Sequence, residues 1–482
     1  MPVSFPVLKK RIVSLFTLLI ATPCFLSATI TLPSFFGDNM VLQQKTGSVI
    51  WGEANAGNTV QITTSWDKKK YSVKADAAGK WKTKINTPAA GGPYEITISD
   101  GNPVTLHNVL IGEVWLCSGQ SNMEMPMKGF KDQAIRGSND AIFNSANDNL
   151  RLYILPRSVK IHPQDTSKKS SWKIAEPESV SNFSATAYYF GRILQQQLKI
   201  PVGLINISYS GSPAEAFMSE AALKEFPEIK IPGTADSAKA NNKVATTLYN
   251  GMLHPFIGYT IKGCIWYQGE TNYDRPDQYE KLFPAMVKEW RDEFGEGEFP
   301  FYYAQIAPYN YAQLPNAGQG GKFNSAYLRD AQRKAAERIP NSGMAVLMDI
   351  GEEKSIHPAD KETGGKRLAY LALGKTYSHK GFAYTSPSFD SLIIKGNVAT
   401  IKFKDADNGL TTFGKQLTNF EIAGADKVFH PASAIIYRGT VLVSSPDIAN
   451  PVAIRYAFKD FVVGELFSIE GFPVSSFRTD EW

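Results

Sequence analysis

From Gly112 to about residue 379 the sequence alternates continuous apolar runs with amphipathic ones, and this alternation constrains the fold more than any other feature. The apolar runs are short: "EVWLCSG", "LRLYIL", "PVGLINISYS", "IKGCIWYQG", "FPFYYAQIA" and "MAVLMDIG". Between them lie helical patterns such as "ATAYYFGRILQQQL", "YEKLFPAMVKEWRDEF", "AYLRDAQRKAAERI" and "ETGGKRLAYLALGKTY". Strands that are apolar at every position must be covered on both faces, the pattern of a mostly parallel sheet between helix layers. Such sheets bind ligands outside the carboxyl ends of their strands. Chemistry is therefore expected in the loops that follow the apolar runs.

Either side of this region reads as β. Residues 29–108 hold alternating runs such as "SVIWGEA", "TVQITTSW" and "YEITISDG", split by Gly, Asn and Asp, which fits an antiparallel sandwich. Residues 380–482 read the same way through "NVATIKFK", "TVLVSS" and "VAIRYAF". The expected organisation is an α/β domain at 109–379 between β-rich domains at 29–108 and 380–482.

Residues 1–28 stand apart as a secretory signal. Lys9, Lys10 and Arg11 precede the apolar run "IVSLFTLLIATPCFL" and then small residues, with cleavage expected after Ala28. The run is too short and too interrupted by Pro23 to span a bilayer. The mature protein is thus expected to be periplasmic or secreted, with no membrane span. Losing the three charges of Lys9, Lys10 and Arg11 leaves +2 of the formal +5, which gives no electrostatic case for a nucleic-acid partner. Cys117 and Cys264 remain, too few for a disulfide framework. Each lies four residues before a candidate site residue, Ser121 and Gln268, so the thiols are expected close together, free and buried rather than bonded. No Cys/His pattern matches a metal site, and no cofactor is expected.

Four loops carry the candidate chemistry: "SGQSNM", "SYSGSPAEAF", "YQGETN" and "GEEKSIHPADK". A serine esterase needs a hydroxyl, a base for its proton and fixed donors for the oxyanion. Ser121, His357, the Gly211 N–H and the Gln268 amide supply that set. The nucleophile-elbow pattern G-x-S-x-G fails at Met123, which disfavours an ordinary α/β-hydrolase.

Six ordered blocks, "GEVWLCSGQSNMEMPM", "GSPAEAFM", "LYNGMLHPF", "KGCIWYQGETN", "LRDAQRKA" and "IHPADKETGGKRLA", together resemble the sialate O-acetylesterase family of SGNH-type hydrolases. "FFGDNMVLQQ" with "VIWGEA" and the terminal "FPVSSFRTD" extend the resemblance over the whole mature chain. It implies an SGNH-hydrolase-like, flavodoxin-like parallel sheet flanked by two β-rich regions. It also implies Ser121 as nucleophile, His357 as base, and an oxyanion hole from the Ser121 and Gly211 N–H groups with the Gln268 side chain. Many SGNH hydrolases carry an acid three residues before the histidine, where this chain has Lys354. A Ser–His dyad is therefore expected, with the imidazole oriented by a backbone carbonyl or by Glu353.

Plainer readings compete at each position. Ser121 alone is a turn residue, and His254 in "GMLHPF" rivals His357 as base, its simpler role being a histidine satisfied by backbone. Gln268 ties loops together in the simpler reading, and Gly211 serves only a backbone angle. Glu270 is expected to be a structural acceptor. Arg329 and Gln332 share a helix face, either inward or solvated. Trp266, Tyr267, Tyr273 and Tyr309 offer stacking faces to a sugar or belong to the core. The function expected is removal of acetyl groups from O-acetylated sialic acid, with acetylated xylan or another plant glycan as the alternative substrate. The rival of another class is a non-catalytic carbohydrate-binding protein; a lipase would need an apolar channel, and no run lines one.

Overall fold

The computed structural model describes residues 1–6, 30–314 and 324–482. The expected signal segment 1–28 lies, apart from its first six residues, outside them. Thirteen strands precede residue 346: β1 Val41–Gln43, β2 Gly47–Glu53, β3 Thr59–Thr64, β4 Lys70–Lys74, β5 Lys80–Asn86, β6 Gly91–Ser99, β7 Pro103–Gly119, β8 Asn147–Ile154, β9 Lys173–Ala175, β10 Val202–Ser208, β11 Gly263–Tyr267, β12 Phe301–Ala304 and β13 Ser342–Ala345.

Strand β7 organises the molecule. Over its first half exposure is mixed and it pairs antiparallel with β6; from Val109 onward every residue is buried. There it pairs in parallel with β10 on one side and β11 on the other. The change from partial to complete burial marks the point where the sheet gains helices on both faces. The boundary expected at residue 108 thus falls inside one continuous strand. Asn108 sits there with φ +54°, a left-handed conformation that asparagine tolerates better than most residues. Val60, Ile62, Ile96 and Ile98 share a core with Ile50, Trp81 and Ile85 of the β2–β5 pair.

The central sheet runs β13-β12-β11-β7-β10-β8-β9, all parallel except β9 at the edge. Helices Ala185–Leu198 and Lys361–Leu371 cover one face, with Leu194, Leu368 and Ala369 against Trp115, Leu204 and Ile265. At their crossing a Cβ on Gly365 would sit 2.6 Å from Tyr189 Cβ, so only glycine permits that approach. Helices Pro276–Phe294 and Ala326–Arg338 cover the other face, where Leu282, Phe283 and Leu328 join the cluster of Leu116, Cys264 and Trp266.

The two cysteines show how register decides contact. Cys264 lies opposite Leu116, and Ile265 opposite Cys117. This one-residue offset sends the two side chains to opposite faces of the sheet. Both thiols are free and buried as expected, but they belong to different cores rather than sitting together.

Residues 388–478 form two four-stranded antiparallel sheets around a third core, which includes Val346 and Met348 beyond β13. Arg329 anchors this region. It is fully buried and donates to Ser476 Oγ at 3.0 Å, Asp460 O at 3.2 Å and Lys459 O, so its own side chain is neither solvated nor turned to the site. Among the described residues no helix is long and apolar enough to cross a membrane.

Candidate active site

Ser121 opens a one-turn helix, Ser121–Glu124, directly at the carboxyl end of β7. The turn begins at Gly119, where φ is +141° and a Cβ would strike the Tyr267 carbonyl at 2.1 Å. A side chain there would force β7 and β11 apart. As the first helical residue, Ser121 has a backbone N–H with no intrahelical acceptor. Among the described residues neither that N–H nor the Ser121 hydroxyl has a hydrogen-bond partner, although the residue is only 7 % exposed.

The Gly211 loop is fastened to the same turn. Tyr209 N donates to Gly119 O at 3.1 Å, and Ser210 N donates to Glu124 Oε2 at 2.7 Å. Glu124 also accepts from the Ser210 hydroxyl and from Arg157 Nε at 2.6 Å. Gly211 takes φ +71°, a value that favours glycine, and its N–H likewise has no acceptor among the described residues. Two backbone donors without acceptors among the described residues therefore sit on loops locked to each other.

Gln268 departs from expectation. It is 0 % exposed, and its amide nitrogen donates to Ser212 O at 3.2 Å and to Asn272 Oδ1 at 2.7 Å. Its amide oxygen accepts from Tyr279 Oη at 3.1 Å, and its carbonyl from Gln332 Nε2 at 3.0 Å. Both N–H bonds are taken, so the Gln268 side chain has none to offer an oxyanion. It ties the Gly211 loop to the helix behind it, and Gln332 serves the same tie.

His357 is half-buried with its ring edge against Phe130, centroids 5.5 Å apart. Its Nδ1 donates to Gln133 Oε1 at 2.5 Å, which leaves Nε2 as the basic nitrogen. The orienting group is thus a neutral amide, not Glu353 and not a backbone carbonyl. Glu353 is exposed and, among the described residues, contributes only its carbonyl, to Asn310 N and Gln313 Nε2. Glu352 is occupied by Ala359 N at 2.8 Å, and Asp349 pairs through both oxygens with Arg367 at 2.6 and 2.7 Å. Burial and then the Lys361 ammonium push the His357 pKa down to about 4.

Ser121 and His357 are joined through the residue next to each. Asn122 Nδ2 donates to Ile356 O at 3.0 Å, linking the residue after Ser121 to the residue before His357. No hydrogen bond joins the Ser121 hydroxyl to the His357 ring in this structure, a looseness common in ligand-free catalytic pairs. Asn122 also donates to Glu270 Oε1 and accepts from Lys361 Nζ. Glu270 is the structural acceptor expected of it.

His254 lies elsewhere. Its Nδ1 pairs with Gln164 O at 2.9 Å, and it lines an 880 Å³ cavity with Trp51, Trp81 and Lys80. Trp266 and Tyr267 are core residues, Tyr309 is buried, and Tyr273 stacks on Tyr311 at 4.4 Å. Among the described residues no group of His, Cys, Asp and Glu is placed to hold a metal.

The model of a carbohydrate esterase family, sialic acid-specific acetylesterase, matches residues 111–374, more than half of the chain. The chain belongs to this family. Sialate O-acetylesterases of Pongo abelii and Homo sapiens are each 31% identical over 383 residues, covering 73% of this chain and 72% of theirs. A carbohydrate acetylesterase from Xanthomonas citri matches in structure with a TM-score of 0.84 and 35% identity, over 94% of this chain and 100% of its own. The esterase is a hydrolase of carboxylic esters that acts as a carbohydrate O-acetylesterase, on a mixed α/β fold with additional β-rich regions.

Proposed function

We propose that this esterase removes acetyl groups from O-acetylated sialic acid through an acyl-enzyme on Ser121, with His357 as base. One observation carries the reading. Among the described residues the hydroxyl and N–H of Ser121, after β7, and the N–H of Gly211, after the neighbouring β10, have no partners, and the Asn122–Ile356 bond ties the Ser121 turn to a histidine whose Nδ1 is already occupied. His357 Nε2 takes the hydroxyl proton as Oγ attacks the acetyl carbonyl. The oxyanion is held by the two backbone N–H groups, each donor worth about 10²–10³ in turnover. The imidazolium then protonates the departing sugar oxygen, and water attacks the acetyl carbonyl by the same proton route in reverse. Gln133, an uncharged acceptor, fixes the tautomer without an acid.

The sheet order supports a flavodoxin-like, SGNH-type reading. Taken in chain order, β7, β10, β11, β12 and β13 stand as 2-1-3-4-5 across the sheet, with β8 added outside β10. Acetylated xylan or another plant glycan is the alternative substrate. The Xanthomonas citri relative, called a carbohydrate acetylesterase, matches along its full length. The basic-then-apolar start of the chain supports export to the periplasm or medium, which cell fractionation tests.

The test is acetate release by the wild type and by Ser121→Ala, on an O-acetylated sialic acid and on acetylated xylan. Release from the sialic acid, absent in the variant, is the expected result. Release from xylan alone replaces the substrate while keeping the chemistry. Undiminished release by Ser121→Ala defeats the mechanism.

A further inference from the structure

Lys361 is the first residue of its helix and is 2 % exposed. Both facts are unfavourable for an ammonium. Lysine is rarely buried, and the amino end of a helix repels a cation. Its hydrogen-bond acceptor is Asn122 Oδ1, and its Nζ lies 5.9 Å from the Tyr267 ring centroid. Asn122 passes the contact on, donating to Glu270, whose other oxygen Oε2 is buried without a partner, as is the Tyr267 hydroxyl. An ammonium–amide–carboxylate chain left partly unsatisfied is a poor device for stability, because each unpaired buried atom has lost its water without gaining a partner.

Its location accounts for it. The chain of contacts joins the loops after β7 and β11 to the helix that follows His357. With Thr186 Oγ1 donating to Asn122 O at 2.9 Å, every polar group of the Asn122 side chain and its carbonyl is held. We propose that Lys361 is a positioning residue of the esterase, pinning the Ser121 turn to the His357 loop through Asn122 and holding a titratable positive charge within electrostatic range of the imidazole. The inference rests on the Ser121–His357 reading above.

The groups facing Lys361 are Glu270, Glu352 and Asp360, which favour its charge, together with Asn122 and Tyr267; those facing His357 are Lys361, Gln133 and Phe130. Burial brings Lys361 down to about 7, so it stays protonated through the lower pH range in which His357 titrates. A cation beside a base lowers the base's pKa, so removing it moves the acid limb of activity to higher pH.

The experiment compares wild type, Ser121→Ala and Lys361→Met on an aryl acetate from about pH 4 to 8. Lys361→Met is expected to lose about 10²-fold in kcat with KM within about twofold, and to show an acid limb of kcat/KM shifted toward the ordinary histidine range. Its melting temperature should fall, since Asn122 Oδ1 loses its donor and Glu270 its counter-charge, so activities are compared well below the melting temperature of both proteins. An unmoved limb, or a loss of activity that only tracks a lower melting temperature, overturns the inference. Lys361→Gln is the second variant, neutral but still able to donate to Asn122. If Lys361→Met does not fold, a wild-type limb in Lys361→Gln overturns it equally. Full activity in Ser121→Ala would instead defeat the underlying esterase mechanism, whatever Lys361 does.

Discussion

The loops after β7 and after β11 leave the same edge of one sheet on neighbouring strands, and they treat their polar groups in opposite ways. After β11, the Gln268 side chain is sealed from solvent and every amide hydrogen has an acceptor. After β7, Ser121 keeps a hydroxyl and an N–H without partners among the described residues, although Asn122 beside it is bonded through both side-chain atoms. A satisfied buried amide contributes to stability and has no hydrogen free for a developing charge, whereas an unsatisfied donor at a strand end is ready for one. Reactive and structural roles are thus separated by which groups the fold leaves open, not by which residue types it gathers.

The largest effect that would break this contrast is at Ser121. Ser121→Ala should lose at least about 10³-fold in kcat on any acetyl ester, and His357→Ala a comparable amount, while both keep the wild-type fold by circular dichroism. The next sharpens the base. Gln133→Leu removes the acceptor that fixes the imidazole and should lower kcat about tenfold or more, whereas Glu353→Gln should stay within about twofold of wild type. The reverse ranking would make Glu353 the orienting acid after all.

Gln268→Ala should act mainly on folding. It leaves Ser212 O, Asn272 and Tyr279 without their partner and should cost about 1–3 kcal/mol in denaturant unfolding. A fall of about 10²-fold in kcat at unchanged stability would instead put Gln268 in the oxyanion hole and erase the difference between the two loops. The smallest effect is in pH. With His357 held down to about 4, kcat/KM should stay level from neutral pH to well below 6, falling only when the imidazole takes a proton. A limb at the usual histidine value of about 6.5 would mean that neither burial nor Lys361 acts on the ring.

Much of this was legible in the chain itself. The run of apolar strands located the sheet, and the four loops after them held Ser121, Gly211 and His357. What stayed hidden depended on register and on distant contacts. Counting back from Ser121 and Gln268 places Cys117 and Cys264 at equal heights, but β7 and β11 pair one residue out of step, and the thiols face different cores. Gln133 reaches His357 across 224 positions from an exposed loop that carries no pattern of its own. Lys361 stood in the "IHPADK" block, yet a lysine at a helix start reads as solvated until burial is known. The role of Gln268 turned on where Ser212 and Asn272 lie, which its neighbours in sequence do not disclose.

The most direct test of the central claim is to trap the acyl-enzyme. Turnover of an aryl acetate by the wild type is quenched in acid, and the acetylated peptide is mapped by mass spectrometry. The account predicts one acetyl group on the peptide holding Ser121, absent in Ser121→Ala. An acetyl group on another side chain, or steady turnover with Ser121 never acetylated, would contradict it.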